Sequence, residues 1–347
     1  MTDTILIIGP TWIGDMMMAQ SLFMTLKRER PGVTIDVVAP GWSLPLLARM
    51  PQVRKATATP FDRGELALGQ RRAFGRSLRG EGYSQAIVLP NSLKSALVPW
   101  FAGIPRRTGW RGEMRYGLLD DLRRLDKQRF PMMVDRFNAL AFDADTMRSA
   151  DDFPQPHPNP SLVADKGNRD AAIAKFGLVA DVPVLALCPG AEFGVSKRWP
   201  PEKYAEIVDM AGTGKQIWLF GSANDTATCD EILAHLEPEV RRRCHNLAGK
   251  TSLAEAVDLL SMADGVVTND SGLMHVAAAL GRPLVAVYGS TSPDFTPPLS
   301  DASRIVRLGL DCSPCFKREC PLGHHNCMRA LPASMVHEAL DEMVPAR

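Results

Sequence analysis

The chain has 347 residues, 45% hydrophobic and 23% charged, the balance of an ordinary folded protein with length enough for two domains. Its 40 basic and 39 acidic residues leave a net charge of +1, which argues against a nucleic-acid binder, whose affinity comes from a surplus of cations on phosphates. No apolar run approaches the roughly 20 residues that cross a bilayer, and seven cysteines, an odd number, do not suit a secreted disulfide scaffold, so a reducing cytoplasm is expected.

Short β-branched runs alternate with helix-length segments, the pattern of βαβ units on a parallel sheet. Met1-Thr2-Asp3 lacks the basic and apolar regions of a signal peptide and leads into a buried strand, Thr4–Gly9. Further strands are predicted at Val33–Ala39, Val53–Thr59 and Gln85–Pro90, with helices at Asp15–Glu29, Ser43–Arg49, Glu65–Arg79 and Ser92–Ala102. Pro31-Gly32 stops the first helix, since proline lacks the donor N–H and glycine takes the left-handed turn.

The first strand exits through Gly9-Pro10-Thr11-Trp12-Ile13-Gly14-Asp15. The glycine spacing imitates a Walker A loop, but Asp15 stands where that loop needs lysine and would repel phosphate; nor is this the G-x-G-x-x-G of dinucleotide binders. What remains is Gly14, where backbone can approach a ligand, and Asp15 at a helix start. There Asp15 serves as a cap favoured by the helix dipole, as a general base for an attacking hydroxyl, or as both.

Arg106-Arg107-Thr108-Gly109-Trp110-Arg111 and then Arg115, Arg123 and Arg124 form a basic stretch read as having little regular structure. It is either a solvated face or a site for an anionic partner, through Arg107, Arg111 and Arg115, because guanidinium forks match carboxylates and phosphates. Asn91 and Lys94 extend it.

Asp151–Asn168 carries prolines at 154, 156, 158 and 160; such backbone is extended and cannot be helical, so it is read as a linker. The expected division is residues 1–150, linker 151–168 and residues 169–347, with the C-terminal helix packing back on the first domain. The alternation then restarts, with strands at Val184–Cys188, Gln216–Phe220, Gly265–Thr268 and Leu284–Tyr288 and helices at Pro201–Ala211, Asn224–His235, Leu253–Met262 and Gly272–Leu280. The expected architecture is α/β, two doubly wound Rossmann-like halves, with ligands beyond the carboxyl ends of the strands.

Three strand exits in the second half carry ligand-binding chemistry. Pro189-Gly190 leads to Lys197-Arg198 just before a helix, a place for a diphosphate or merely a solvated loop. Phe220-Gly221-Ser222-Ala223-Asn224-Asp225 caps a helix, and Asp225 reads equally well as cap or ribose ligand. Asn269, Asp270 and Ser271 precede Gly272 and an alanine-rich helix, good capping residues beside a glycine that permits close approach to phosphate. His275 in its first turn is a cleft residue or a satisfied core histidine. Cys188, Cys229 and Cys244 look like apolar fillers. Cys312, Cys315, Cys320 and Cys327, with His324 and His325 among them, have spacing compatible with structural zinc, with disulfides or with reduced thiols in a loop.

Taken together, Gly14-Asp15, Pro189-Gly190 with Lys197-Arg198-Trp199-Pro200, and Thr268-Asn269-Asp270-Ser271-Gly272-Leu273-Met274-His275 resemble the ADP-heptose:lipopolysaccharide heptosyltransferases of glycosyltransferase family 9. The likeness covers nearly the whole chain, and Asn91–Pro99 and Gly103–Leu119 resemble the type II branch. It implies a GT-B fold whose two halves face a central cleft, acceptor on the first and ADP-heptose on the second, and inverting transfer with no cofactor or obligatory metal in the site. Asp15 would then be the base, and Lys197 the residue that holds the donor phosphates and steadies departing ADP. Ser271 and Gly272 would offer N–H groups, with Asp270 and His275 on the heptose side, Asp225 and Thr251 near ribose and adenine, and Gly14, Gly190 and Asn269 among the donor contacts. The resemblance further implies a lipopolysaccharide inner-core acceptor, Kdo-lipid A bearing heptose, and an enzyme at the cytoplasmic face of the inner membrane touching anionic lipid. Its alternatives are a type I enzyme acting on the Kdo acceptor, a GT-B sugar-nucleotide epimerase and a non-catalytic sugar-nucleotide-binding subunit. The cysteine cluster departs from the family pattern, so transfer should not need it.

Overall fold

The computed structural model describes residues 3–62 and 64–344; Met1 and Thr2, read above as the lead-in to the first strand, lie outside them. Contacts divide the chain into Met1–Pro160 and Ser161–Arg347, a boundary inside the proline-rich stretch. In the first unit, Ser21 Oγ and the Arg28 guanidinium donate to the carbonyls of Pro158 and Pro156 at 2.7 and 3.2 Å. That strap thus lies along the helix Ile13–Glu29.

The first unit is built on β1 (Thr4–Ile8), β2 (Thr34–Ala39), β3 (Val53–Ala58), β4 (Gln85–Val88), β5 (Arg106–Trp110) and β6 (Asp121–Arg123), in the order β3-β2-β1-β4-β5-β6. Every pairing is parallel. Ile5, Leu6 and Ile7 are fully buried, as a strand covered by helices on both faces requires, and hence the run is apolar without alternation. This strand order reverses direction between β1 and β4, the place where doubly wound sheets bind ligands.

The reading of residues 106–124 as irregular is overturned by β5 and β6. Arginine hides the strand signal there, yet Thr108, Gly109 and Trp110 are buried, and the Arg106 guanidinium sits 3.3 and 2.9 Å from Asp121 and Asp143.

In the second unit β7 (Val184–Cys188), β8 (Gln216–Leu219), β9 (Cys244–Asn246), β10 (Gly265–Asn269), β11 (Leu284–Val287) and β12 (Ser303–Val306) run β12-β11-β10-β7-β8-β9, again parallel throughout. The topology repeats that of the first sheet with the reversal between β7 and β10. The helix Lys166–Phe176 starts inside the expected linker, capped by the Asp165 carboxylate on the Asn168 amide. The C-terminal helix Ala333–Asp341, expected to return to the first domain, sits in the core of its own unit, with Val336 and Leu340 packed among residues of β7, β10 and β11.

Candidate functional site

At the reversal point of the second sheet, the exits of β7 and β10 lie side by side, and Asn269 binds them together. Its side-chain nitrogen donates to the Pro189 carbonyl at 2.5 Å. Its oxygen accepts from the Trp199 amide at 3.2 Å and the Tyr204 hydroxyl at 2.9 Å. Asn269 is fully buried, so its expected place among the donor contacts is corrected: every polar atom of the side chain serves the frame, fixing the segment Lys197–Trp199 against β10.

The next residue, Asp270, reaches the other way. Its Oδ2 accepts from Lys197 Nζ at 2.6 Å and from Thr291 Oγ1 at 2.6 Å, and Lys197 Nζ also lies 3.4 Å from the Asp270 carbonyl. The ammonium is 5.2 Å from the centre of the Phe193 ring. One cation is thereby aimed at the head of the helix Gly272–Ala279, whose cap is Ser271, with Oγ accepting from the Met274 amide at 3.4 Å. A lysine and a helix N-terminus beside the half-buried residues Ser271 and Gly272 are chemistry that can receive an anion. His275 lies 5% exposed in the same turn. Burial pushes its imidazole down to about 4, assisted by Lys197 and opposed by Asp270, so at neutral pH the ring presents no charge to the anion. Thr291, just beyond β11, was not foreseen; Gly289-Ser290-Thr291 is one more strand exit of the kind that supplied the other site residues.

Asp225 acts as a cap. Its carboxylate accepts from the Ser222 amide and hydroxyl at 2.9 and 2.8 Å, stands 3.6 Å from Arg198 and presses against Gly190, where an added Cβ would come within 2.6 Å of it. Gly190 is therefore required by protein packing as much as by any ligand. Thr251 is half-buried, with Oγ1 3.4 Å from the Leu247 carbonyl.

In the first unit the helix starts at Ile13, placing Gly14 and Asp15 in its first turn, with Asp15 half-exposed. A cavity of about 630 Å³ opens at the carboxyl ends of the same strands, lined among others by Trp42, Phe61, Arg71, Ser92 and Lys94. Arg71 is buried with its guanidinium 3.7 Å from the centre of the Phe61 ring. Its donors end on the carbonyls of Leu66, Lys94 and Glu65 at 2.7, 3.2 and 3.1 Å, and Lys94 Nζ donates to the Gly64 carbonyl at 2.6 Å. These cations point at main-chain oxygens, leaving positive charge in the cavity wall beside two aromatic faces. Nothing in the arginine-rich helix distinguished Arg71 from its exposed neighbours.

The expected anion site on Arg107, Arg111 and Arg115 is corrected in two of three positions. Arg115 is fully buried and donates to the Pro90 carbonyl at 2.7 Å, to Ser95 and Asn91 side chains at 3.4 Å and to the Trp110 carbonyl; burial brings its pKa down to about 10. Arg107 pairs with Asp120 at 2.7 Å and donates to Leu118 and Ile104 carbonyls. Both are internal braces, whereas Arg111 and Asn91 are exposed. The brace joins Asn91 to the arginine segment, and a side chain at Gly112 would collide with the Asn91 carbonyl.

Cys312, Cys315, Cys320 and Cys327 border one small cavity in the second unit. Among the described residues no group of three or more His, Cys, Asp or Glu side chains is drawn tightly enough together to hold a metal ion.

The profile of Glycosyltransferase family 9 (heptosyltransferase) matches residues 71–326. Lipopolysaccharide heptosyltransferase 2 of Escherichia coli strain K12 is 51% identical over 99% of this chain and 95% of its own length. Lipooligosaccharide heptosyltransferase 2 of Haemophilus influenzae is 49% identical over 98% of this chain and 99% of its own. The solved structure of E. coli ADP-heptose lps heptosyltransferase II superposes with a TM-score of 0.89 at 50% identity, covering 98% of each chain.

Proposed function

The chain belongs to glycosyltransferase family 9, and on that premise we propose that this glycosyltransferase moves L-glycero-D-manno-heptose from ADP-heptose to the first heptose of the lipopolysaccharide inner core. The observation that carries the reading is Lys197 held at 2.6 Å by Asp270 over the head of the helix Gly272–Ala279. When the bond from the anomeric carbon to the diphosphate oxygen breaks, the electron pair leaves with ADP, and a fixed ammonium and helix N-terminus stabilise the charge that gathers there.

The acceptor hydroxyl attacks the opposite face of the sugar, forming the new bond as the old one breaks, with inversion, and its proton passes to the Asp15 carboxylate. Neutral His275 lines the heptose side without competing for the phosphates, while Asp225 and Thr251 border the adenosine side, Asp225 chiefly by holding Gly190 and Arg198. The cationic, aromatic-walled cavity around Arg71 and Lys94 suits an acceptor carrying acidic sugars and phosphates, and exposed Arg111 offers a further cation on the same unit. Among the described residues no helix is long and apolar enough to cross a membrane. We place the enzyme at the cytoplasmic face of the inner membrane, where a lipid-anchored acceptor is presented amid anionic headgroups.

Mass spectrometry of reactions between ADP-heptose and defined core acceptors tests the proposal. A heptose adduct on the acceptor that already bears one heptose is expected. Transfer to an acceptor ending in Kdo would make it a type I enzyme, donor conversion without acceptor an epimerase, and ADP binding without turnover a non-catalytic subunit.

A further inference from the structure

The transfer chemistry leaves unused the four cysteines that line one cavity. Cys312, Cys315, Cys320 and Cys327 surround a space of about 20 Å³, room for a single water-sized occupant. The two histidines beside it each have one ring nitrogen engaged: His325 Nε2 lies 2.9 Å from the Ser196 carbonyl, and His324 Nδ1 accepts from the Asn326 amide at 3.0 Å. The four sulfurs alone are enough for a tetrahedral donor set.

The backbone is shaped around that space. The segment runs from the end of β12 to the short helix Asn326–Arg329 without a strand or α-helix, so no ladder of hydrogen bonds fixes it. Phe316, immediately after the C-x2-C pair, and His325 hold left-handed backbone at φ 55° and 53°, a conformation that the surrounding contacts must hold in place. The His325 amide donates to Cys320 Sγ at 3.4 Å, the kind of N–H contact that orients a metal-binding sulfur.

The segment also grips the loop that carries Lys197. The Ser196 amide donates to the Arg318 carbonyl at 3.1 Å, and its hydroxyl lies 2.5 Å from the Lys317 carbonyl and 3.0 Å from Ser290 Oγ. With the bond to His325, the residue before Lys197 is thus held at amide, carbonyl and hydroxyl by the cysteine-bearing chain.

We propose that the four thiols bind one divalent ion of the zinc and iron class in tetrahedral sulfur coordination, and that the ion fastens the cysteine segment and through it the Lys197 loop. C-x2-C spacing and an all-thiol set select these metals. The sulfurs do not yet stand at coordinating distance; they turn into the cavity they already border, and each thiol releases its proton to solvent as its bond to the metal forms. The clause concerning Lys197 rests on the function proposed above, but the metal site does not.

Elemental analysis of the full-length protein, purified without added metal, tests the site independently of activity. About one zinc or iron per chain is expected, absent from the double variant Cys312→Ser/Cys315→Ser. Chelation should lower the melting temperature of the wild type and leave that of the double variant unmoved. It should also weaken ADP binding several-fold if the loop is braced as described. Metal-free wild-type protein in which all seven cysteines titrate as thiols on unfolding overturns the proposal, and so does a shortfall of thiols restored by reductant, which would mean disulfides.

Discussion

The Lys197 ammonium and the Asp270 carboxylate, 73 residues apart in the chain, meet at 2.6 Å with both side chains largely buried. The pair does two opposed things to a diphosphate: Lys197 attracts it and Asp270 repels it, yet Asp270 also holds Lys197 in position. The two substitutions should therefore separate. Lys197→Ala should weaken ADP binding about tenfold or more and lower kcat about a hundredfold, because both ground-state and developing charge lose their partner. Asp270→Asn should leave ADP binding as tight or tighter while kcat falls about tenfold, since the cation remains but is no longer aimed. Calorimetric titration with ADP beside turnover on a core acceptor reads both, and equal losses of affinity in the two variants would contradict these assignments.

Asp15 stands in the first turn of its helix, where a carboxylate both stabilises the helix and can take a proton. Asp15→Asn keeps the shape and the hydrogen-bonding reach but not the base. Nucleotide affinity should be unchanged and kcat reduced by about 10²- to 10⁴-fold. A variant that turns over at near wild-type rate would leave Asp15 as a cap alone.

Arg111 and Arg115 lie four positions apart yet should behave as opposites. Arg115→Met strands the buried Trp110 carbonyl and takes one of two donors from the Pro90 carbonyl, which keeps the Ser95 hydroxyl at 3.0 Å, and should cost about 1–3 kcal/mol of stability. Arg111→Ala should move stability by less than about 0.5 kcal/mol while raising KM for the acceptor several-fold. Denaturant midpoints and acceptor kinetics of the two variants decide; a stable, acceptor-deficient Arg115→Met would restore it to the binding surface.

Asn269 offers a test of framing without chemistry. Asn269→Ala leaves the Pro189 carbonyl, the Trp199 amide and the Tyr204 hydroxyl without the bonds seen here, at about 1–3 kcal/mol for each buried group left unpaired. The melting temperature should fall and ADP affinity with it, and Asn269→Asp, unable to donate to Pro189, should not rescue either. A variant as stable as the wild type would mean that the frame is held by other contacts.

The strand exits were readable because glycine, proline and capping residues after apolar runs are local signals. Pro189-Gly190 and Asn269-Asp270-Ser271 needed no knowledge of what lay opposite. What their side chains do was not readable, since whether Asn269 faces a ligand or Pro189 depends on which strands become neighbours. The same holds for arginine: at Arg115 and Arg107 a run of charge conceals internal braces, and the strand Arg106–Trp110 is concealed with them. Arg71 failed in the other direction, because a buried cation on a polar helix looks like a solvated one until its aromatic partner is placed.

His275 couples the site to acid stability. In the unfolded chain imidazole titrates near about 6.5, whereas burial keeps the folded one neutral down to about 4. As pH falls the unfolded state takes up the proton first, so the site's contribution is fully present above about pH 6.5 and is lost progressively as the pH approaches 4, by up to roughly 3 kcal/mol. His157 and His245 are also lowered by burial, so the total acid loss is shared and the variant must be read as a difference. Denaturant unfolding of wild type and His275→Gln at several pH values between 7 and about 4.5 isolates it. The stability advantage of wild type over variant should shrink steadily on acidification, and an advantage constant across that range would mean that the imidazole takes its proton as readily in the folded protein as in water.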